Sequence, residues 1–443
     1  MNLEQIAEEI VKRGESKGFD EIEVYLVKEK NSLIQIIESL VTAKMGEEIG
    51  VGIRASIGKK VGFIATSTVD LDKIDVVLDN LKSVVLTRPE DKDFNGFADP
   101  KSVKHKGGVI DAKIYEAPIN EISESVKSVF ESVKKLDYIV KLEYHITLAD
   151  EEIIIANSRG LMANDEITYA MAFAEVKGKN ETLAMDYHTS RRLEIDKLVG
   201  VLENAARKVK DFLDAKKLSE PFEGAAVIVN KEVSNFLQNF ISYNFSALNI
   251  QENRSKFVGK LNEKVADERL TILDNPENPN ALLSLKYDGE GVPTYKKALI
   301  ENGVLRTYLY DVYSARREGK ESTGNGVRTN YRSQPSPSPL NVELVPTCNK
   351  DAQALINELD KGIFVGGYVM GSHMADLING VFSLTSLESY YVENGEIKYP
   401  IRSVTITGNF FEFINNIIEI GNDKEVTFGG VYPSILVKGL RFI

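Results

Sequence analysis

The sequence predicts an α+β protein with two domains: an N-terminal antiparallel sheet with flanking helices over residues 1–220, and a β-rich domain with a buried helix over 221–443. Three observations carry that expectation. At 443 residues the chain is too long for one ordinary core, and each half can bury a stable interior without staples. Strand-period and helix-period patterns come in blocks rather than in regular βα units. Two Asn-Gly pairs sit between alternating apolar residues, which is the pattern of hairpins.

The elements follow in order. The opening MNLEQIAEEIVKRGESKGFD reads as an amphipathic helix rather than a signal peptide. Residues Glu21 to Ser39 and Gly46 to Thr68 then alternate with the period of half-buried strands, with Gly58-Lys59-Lys60 as a turn, giving an antiparallel meander. Helical spacing returns from Asp70, a cap residue, to Leu86, and again from Pro118 to Lys135. Strands are expected at Tyr138–Ala149 and Ile153–Asn157, ending in the turn Asn157-Ser158-Arg159-Gly160, and at Glu166–Lys177 and Glu181–Thr189. A charged helix over Leu193–Lys217 gives way near Ser219–Gly224 to the apolar run Ala225–Val229, which sets the domain boundary.

Beyond that boundary, Val233, Phe236, Leu237, Phe240 and Phe245 give the helix Lys231–Leu248 a broad apolar face, so it belongs in a core. Asn302-Gly303 and Asn394-Gly395 supply the positive φ angles of type I′ turns and predict two hairpins. Pro335, Pro337 and Pro339 exclude a helix or a central strand and predict an extended surface loop. The glycine-rich stretch Gly362–Gly371 lacks the strand-turn-helix context of a nucleotide loop.

Composition narrows the function. A net charge of -12 and a pI near 5.2 oppose binding to nucleic acid, whose phosphates demand clustered Lys and Arg. Cys348 is the single cysteine, which rules out an internal disulfide and fits a reducing compartment. No run of about 18 apolar residues exists to span a membrane. A cytoplasmic protein is expected.

The histidines, His105, His145, His188 and His373, are too dispersed for any helix to carry two imidazoles a turn apart. His373 with Asp376 offers one imidazole and one carboxylate, a poor set for a four-coordinate metal, so a solvent-facing histidine is the expectation. Asp288 and Glu290 stand as an acid and base pair or, more simply, as residues that shape a turn before Gly291. Arg316 and Arg317 are read either as partners of acids across an interface or as a solvated helix face. Asn325, in Ser322-Thr323-Gly324-Asn325-Gly326, belongs to a sharp turn, with contact to a peptide as the other reading. Cys348 has no histidine neighbour to make it a nucleophile.

Several strings, taken in order, resemble the TldD/PmbA family, also known as modulators of DNA gyrase. They are Asp288-Gly289-Glu290-Gly291-Val292-Pro293-Thr294, then Ile300–Leu305, Tyr313-Ser314-Ala315-Arg316 and Ser322–Gly326. Tyr391–Ile397, Tyr399-Pro400-Ile401, Thr407-Gly408-Asn409, Gly421-Asn422-Asp423 and Pro433–Leu436 look like the family's carboxy-terminal signature, and the likeness extends over essentially the whole chain. By that resemblance the TldD branch carries a His-Glu-x-x-x-His helix and a late cysteine that bind one zinc. Here the corresponding helix, just before Asn253-Arg254-Ser255, has Ile241, Ser242 and Ser246 around where those ligands would fall, and the late loop Glu425–Gly430 has no thiol. The chain therefore resembles the PmbA branch, also called TldE.

The resemblance implies a PmbA/TldE-like, non-catalytic subunit of a zinc peptidase that acts on unfolded or extended peptides, in peptide maturation or toxin-antitoxin turnover. No zinc is expected in this chain; it would sit in a TldD-like catalytic partner, with self-dimerisation as the other possibility. An extended peptide can be held by strand addition at a sheet edge, which the Asn302 and Asn394 hairpins would offer. Candidates for the peptide cleft or an interface are Asn253, Arg254, Asp288, Glu290, Arg316, Asn325, His373 and Asn394. Two alternatives stand beside this reading: a homodimeric hydrolase with another site, and a non-enzymatic peptide-binding regulator.

Overall fold

A computed structural model describes residues 1–37 and 40–443. The N-terminal part is built on a six-stranded antiparallel sheet: β1 (Glu21–Ile37), β2 (Leu40–Ile57), β3 (Lys60–Thr66), β4 (Ile139–Asn157), β5 (Met162–Gly178) and β6 (Leu183–Ser190), in the order β3-β2-β1-β4-β5-β6. The expected strand ending at Ser39 is seen to Ile37, because Glu38 and Ser39 lie outside the described residues. β2 starts earlier than its alternation implied, since the ladder with β1 runs out to Ile37↔Leu40.

β4 is one continuous strand. Residues Tyr138–Ala149 and Ile153–Asn157 do not form two strands: one strand of 19 residues runs through Asp150-Glu151-Glu152. Those acids stay in register because both neighbours hold them, Glu151 opposite Glu29 in β1 and opposite Ile167 in β5. Two-sided backbone pairing fixes a strand that local composition would interrupt.

Helices cover the sheet at both ends. The helix Leu3–Ser16 begins with a capping box between Asn2 and Gln5, and Asp70 caps the helix Leu71–Thr87 through the Asp72 amide. They bury Ile10, Ile74, Leu78 and Leu81 against β1 and β2. The helices Ile119–Lys134 and Ile195–Asp211 pack Val126, Phe130, Leu198 and Leu202 over β4 and β5. The second of these stops short of the expected Lys217, and Lys216 instead donates its amide to Pro400.

The C-terminal part is β-rich. Phe222–Ile228, Ile435–Phe442, Glu396–Asn409, Val381–Glu393 and Lys361–Val365 form a mixed sheet that closes on itself, since Lys361–Val365 pairs with both Phe222–Ile228 and Val381–Glu393. Closure leaves these strands without a free edge. The helix Asn230–Asn244 is the buried one the sequence predicted, and a second short helix, Ala247–Gln251, follows it. Phe236 stacks on Phe413 at 5.6 Å, and Phe240 on Phe410 at 4.9 Å. A second sheet carries the Asn302-Gly303 hairpin, and both Asn-Gly turns have the positive φ pair expected of them (49° and 77°; 52° and 73°).

The proline segment departs from its expectation. It is extended, but Pro337 and Pro339 are buried, and Ser336–Pro337 pairs with Gly326–Val327 in a two-stranded ribbon. Proline is tolerated there because an edge pairing does not need its missing amide proton. Among the described residues no helix is long and apolar enough to cross a membrane.

Candidate functional site

The helix Asn230–Asn244 has two faces of different chemistry. Val233, Phe236, Leu237, Phe240 and Ile241 fill the core, and Ser234, Asn235, Gln238 and Asn239 line a cleft of about 210 Å³. The spacing i, i+1, i+4, i+5 keeps these four on one side of the helix. Phe173 and Tyr187 of the first sheet, Tyr368, and Phe428-Gly429 of the late loop complete the cleft, so it lies where the two parts of the chain meet. Tyr187 stacks on Phe428 at 5.7 Å, and the Tyr432 hydroxyl donates to Gln238 Oε1 at 2.5 Å.

Under the cleft lies a buried charge network. Glu232 accepts from the Val369 amide at 2.8 Å and from Asn235 Nδ2 at 2.9 Å. Burial pushes its carboxyl up to about 7. Lys208 spans Glu388 at 3.4 Å and Asp186 at 3.8 Å, and Lys231 reaches Asp186 at 3.0 Å. These bonds join β6 and the Ile195–Asp211 helix to the C-terminal part, and they orient the cleft walls.

The donor set of the cleft does not fit zinc. Zn²⁺ is held by imidazole, thiolate or carboxylate, whereas the helix offers hydroxyl and amide groups. Glu232, the carboxylate this helix itself carries beneath the cleft, is engaged by Val369 and Asn235. Among the described residues no three His, Cys, Asp or Glu side chains group so that they could hold a metal ion.

Ile241, Ser242 and Ser246 do not line this cleft. Ile241 is fully buried because it follows Leu237 by one turn on the core face; Ser242 is half-buried, and buried Ser246 stands at the start of the next helix. Ser234, Asn235, Gln238 and Asn239 went unnoticed in the sequence, where a stripe of amides looks like any exposed helix face. The only signal was its position opposite the apolar stripe.

The remaining candidates separate into two groups. Asp288, Glu290 and Asn325 are closed off from solvent and work as structural anchors. Asp288 accepts from the amides of Glu290, Val292 and Gly326 at 2.9, 3.0 and 2.8 Å, which shapes the turn at Gly291. Burial, with Glu290 beside it, raises Asp288 to about 8. Asn325 donates to Asp274 Oδ2 at 2.7 Å and to the Ser338 carbonyl at 2.9 Å. Glu290 reaches across the chain: Arg54 Nη2 of β2 donates to it at 2.8 Å and to Glu23 of β1 at 2.7 Å, and Arg328 also donates to Glu23. Arg316 pairs with Asp99 at 2.8 Å and Arg317 with Asp93 at 3.1 Å, so both meet acids across the junction with the N-terminal part.

Asn253, Arg254, His373 and Asn394 lie on the surface. Asn253 ends a helix at φ 56°, Arg254 pairs with Glu252 at 2.8 Å, and Asn394 sits in its hairpin turn. His373 is exposed, and Asp376 is occupied by the amide and side chain of Asn379 at 3.0 and 2.8 Å, so the two form no metal pair. Cys348 is half-buried with its thiol on the Ile420 carbonyl, and burial raises its pKa.

The chain matches known proteins over most of its length. Residues 113–213 match the PmbA/TldA metallopeptidase central domain, and residues 223–443 match the PmbA/TldA metallopeptidase C-terminal domain. An uncharacterized protein of Methanocaldococcus jannaschii is 32% identical over 98% of both chains. A Haemophilus influenzae protein described as a metalloprotease PmbA homolog is 28% identical over 61% of this chain and 58% of its own length. Among solved structures, a Thermotoga maritima protein described as a modulator of a DNA gyrase superposes with TM-score 0.85 at 25% identity over the full length of both chains. TldE from Thermococcus kodakarensis shares the fold with TM-score 0.85 at 23% identity over 99% of each.

Proposed function

The chain belongs to the PmbA/TldD metallopeptidase family, and from that premise we propose that it is the PmbA/TldE-like, non-catalytic subunit of a two-component zinc peptidase. One observation carries the reading: the cleft-facing side of the Asn230–Asn244 helix bears Ser234, Asn235, Gln238 and Asn239, which are hydrogen-bonding groups and not zinc ligands. Such a surface can bind the backbone and side chains of an extended peptide without activating a water molecule. Zinc and the attacking water would come from a TldD-like partner, and this chain would complete the chamber that admits unfolded substrate. Residues 1–220 and 221–443 act in this reading as two domains, clamped by the buried pairs at Glu290 and Glu388. The acidic net charge gives no reason to expect contact with DNA, and a cytoplasmic setting suits the lone thiol.

The test is a peptidase assay on unfolded substrate with this chain alone, a TldD-like protein alone, and the two mixed, with zinc measured by elemental analysis. Turnover that requires the mixture, with zinc confined to the partner, is the expected result. Chelator-sensitive turnover by this chain alone, or a mixture no faster than the partner alone, would overturn the proposal.

A further inference from the structure

A larger groove, of about 500 Å³, lies between the face of the first sheet that bears Tyr25 and Glu29 and the loops Leu282–Leu285 and Arg328–Arg332. Its sheet side carries a row of like charges. Glu29 stands directly opposite Glu48 in the β1–β2 ladder and directly opposite Glu151 in the β1–β4 ladder. Such a row destabilises a sheet unless something answers it.

Only one end of the row is answered. Glu48 receives the Tyr331 hydroxyl at 2.7 Å and Arg332 at 3.0 Å. Glu29 has the Asn31 amide at 3.2 Å, and Glu151 has no hydrogen bond or ion pair among the described residues. The neighbouring cations are committed elsewhere. Arg328 is held by Glu23 and the Gly289 carbonyl, and Arg191 donates to the carbonyls of Val109, Leu282, Ser284 and Glu166. Burial, reinforced by Glu29, pushes Glu151 up to about 7.

A separate observation points the same way. Thr189, 1% exposed, lines this groove, and its hydroxyl has no hydrogen-bond partner. Buried hydroxyls are normally satisfied, so an orphan beside an open groove marks a place for a polar ligand atom. Tyr169, Leu285 and Phe428 add apolar wall, and the volume falls in the range of small-ligand sites.

We propose that this groove seats a lysine or arginine side chain of an extended peptide, its cationic head against Glu29 and Glu151 and its methylene stem along Tyr169 and Leu285. The inference rests on the reading that the protein handles extended peptides, and it adds a preference for basic residues. Long cationic side chains bury their stems on apolar surface while the head keeps a polar partner, which is the combination this groove offers.

The experiment measures fluorescence anisotropy of a short unstructured peptide with a central lysine, and of the same peptide with norleucine there, on the full chain. Wild type should bind the lysine peptide about tenfold more tightly, a difference of about 1.4 kcal/mol. Glu29→Gln with Glu151→Gln should bind both peptides equally, at the norleucine level, and should melt no lower than wild type because like-charge repulsion is gone. Equal binding of the two peptides by wild type, or a preference that survives in the variant, overturns the proposal. Displacement of the lysine peptide by putrescine at equal concentration would assign the groove to a free polyamine and overturn it as well. The mixed peptidase assay fails or succeeds independently: a lysine preference with a silent mixture removes the subunit reading alone, and an active mixture without preference removes the groove alone.

Discussion

Glu23 and Glu29 project from the same face of β1, three strand repeats apart, and the chain treats them in opposite ways. Glu23 is fully buried and is met by two guanidiniums, Arg54 and Arg328. Glu29 lies at the groove between two other glutamates, with an amide for company. A carboxylate sealed in the interior must bring its counter-ions with it, whereas one left at a cavity keeps its field for what enters. The comparison separates acids that hold the two parts of the chain together from acids free to act on a ligand.

The largest break in that comparison comes from Arg54→Met. The substitution leaves Glu23 short of one partner and Glu290 with only the Val312 amide, inside the protein. Removing one member of a buried ionic set costs about 3–5 kcal/mol, and the loss should appear as a lower midpoint in denaturant. Adding Glu290→Gln should recover part of it, because the stranded charge is gone. A midpoint within error of wild type for the single variant would mean that the network is ornamental.

A pH scan comes next in size. Burial, with Glu290 beside each, raises Asp288 to about 8 and Asp311 to about 7, and burial raises Glu232 to about 7. Their folded values lie above the unfolded ones, so the folded chain keeps protons that the unfolded chain has released. Stability from these groups is complete below about pH 4 and is lost as pH rises through about 7 to about 8. Denaturant midpoints should fall between pH 5.5 and pH 8.5, roughly the window these groups titrate in. A midpoint that rises across that window would contradict the assignment.

The sequence was a good guide wherever one local pattern decided the outcome. The alternation in Glu21–Ile37 and the apolar stripe of the Asn230 helix each state a face, and the Asn-Gly pairs state a backbone angle. It was a poor guide where partners are distant. Asp150-Glu151-Glu152 interrupts an apolar pattern, and only the ladders on either side keep it a strand. Glu290 and Arg54 are 236 positions apart, so nothing near either announces the pair. The row Glu48-Glu29-Glu151 exists only once three strands are in register, which is why the groove could not be read from the chain.

That row supplies a smaller effect of opposite sign. Glu151→Gln removes an unpaired acid from a like-charge position, and it should stabilise the protein by up to about 1 kcal/mol at pH 8. At pH 5 the wild-type side chain already carries its proton, so the gain should vanish. A variant less stable than wild type at pH 8 would show that Glu151 has a structural counter-ion, and the contrast with Glu23 would collapse.

The smallest effect should come from Glu48→Gln, and its smallness is informative. Glu48 belongs to the same row as Glu151, but it is half exposed and already holds Tyr331 and Arg332. Relief of repulsion with Glu29 and loss of a solvent-exposed ion pair act in opposite directions, and each is worth about 0.2–1 kcal/mol. The expected net change is below about 0.5 kcal/mol at either pH, with no lasting change in preference for a lysine peptide. If thermal denaturation instead shows Glu48→Gln matching the gain of Glu151→Gln, then position in the row, and not the absence of a partner, governs these acids.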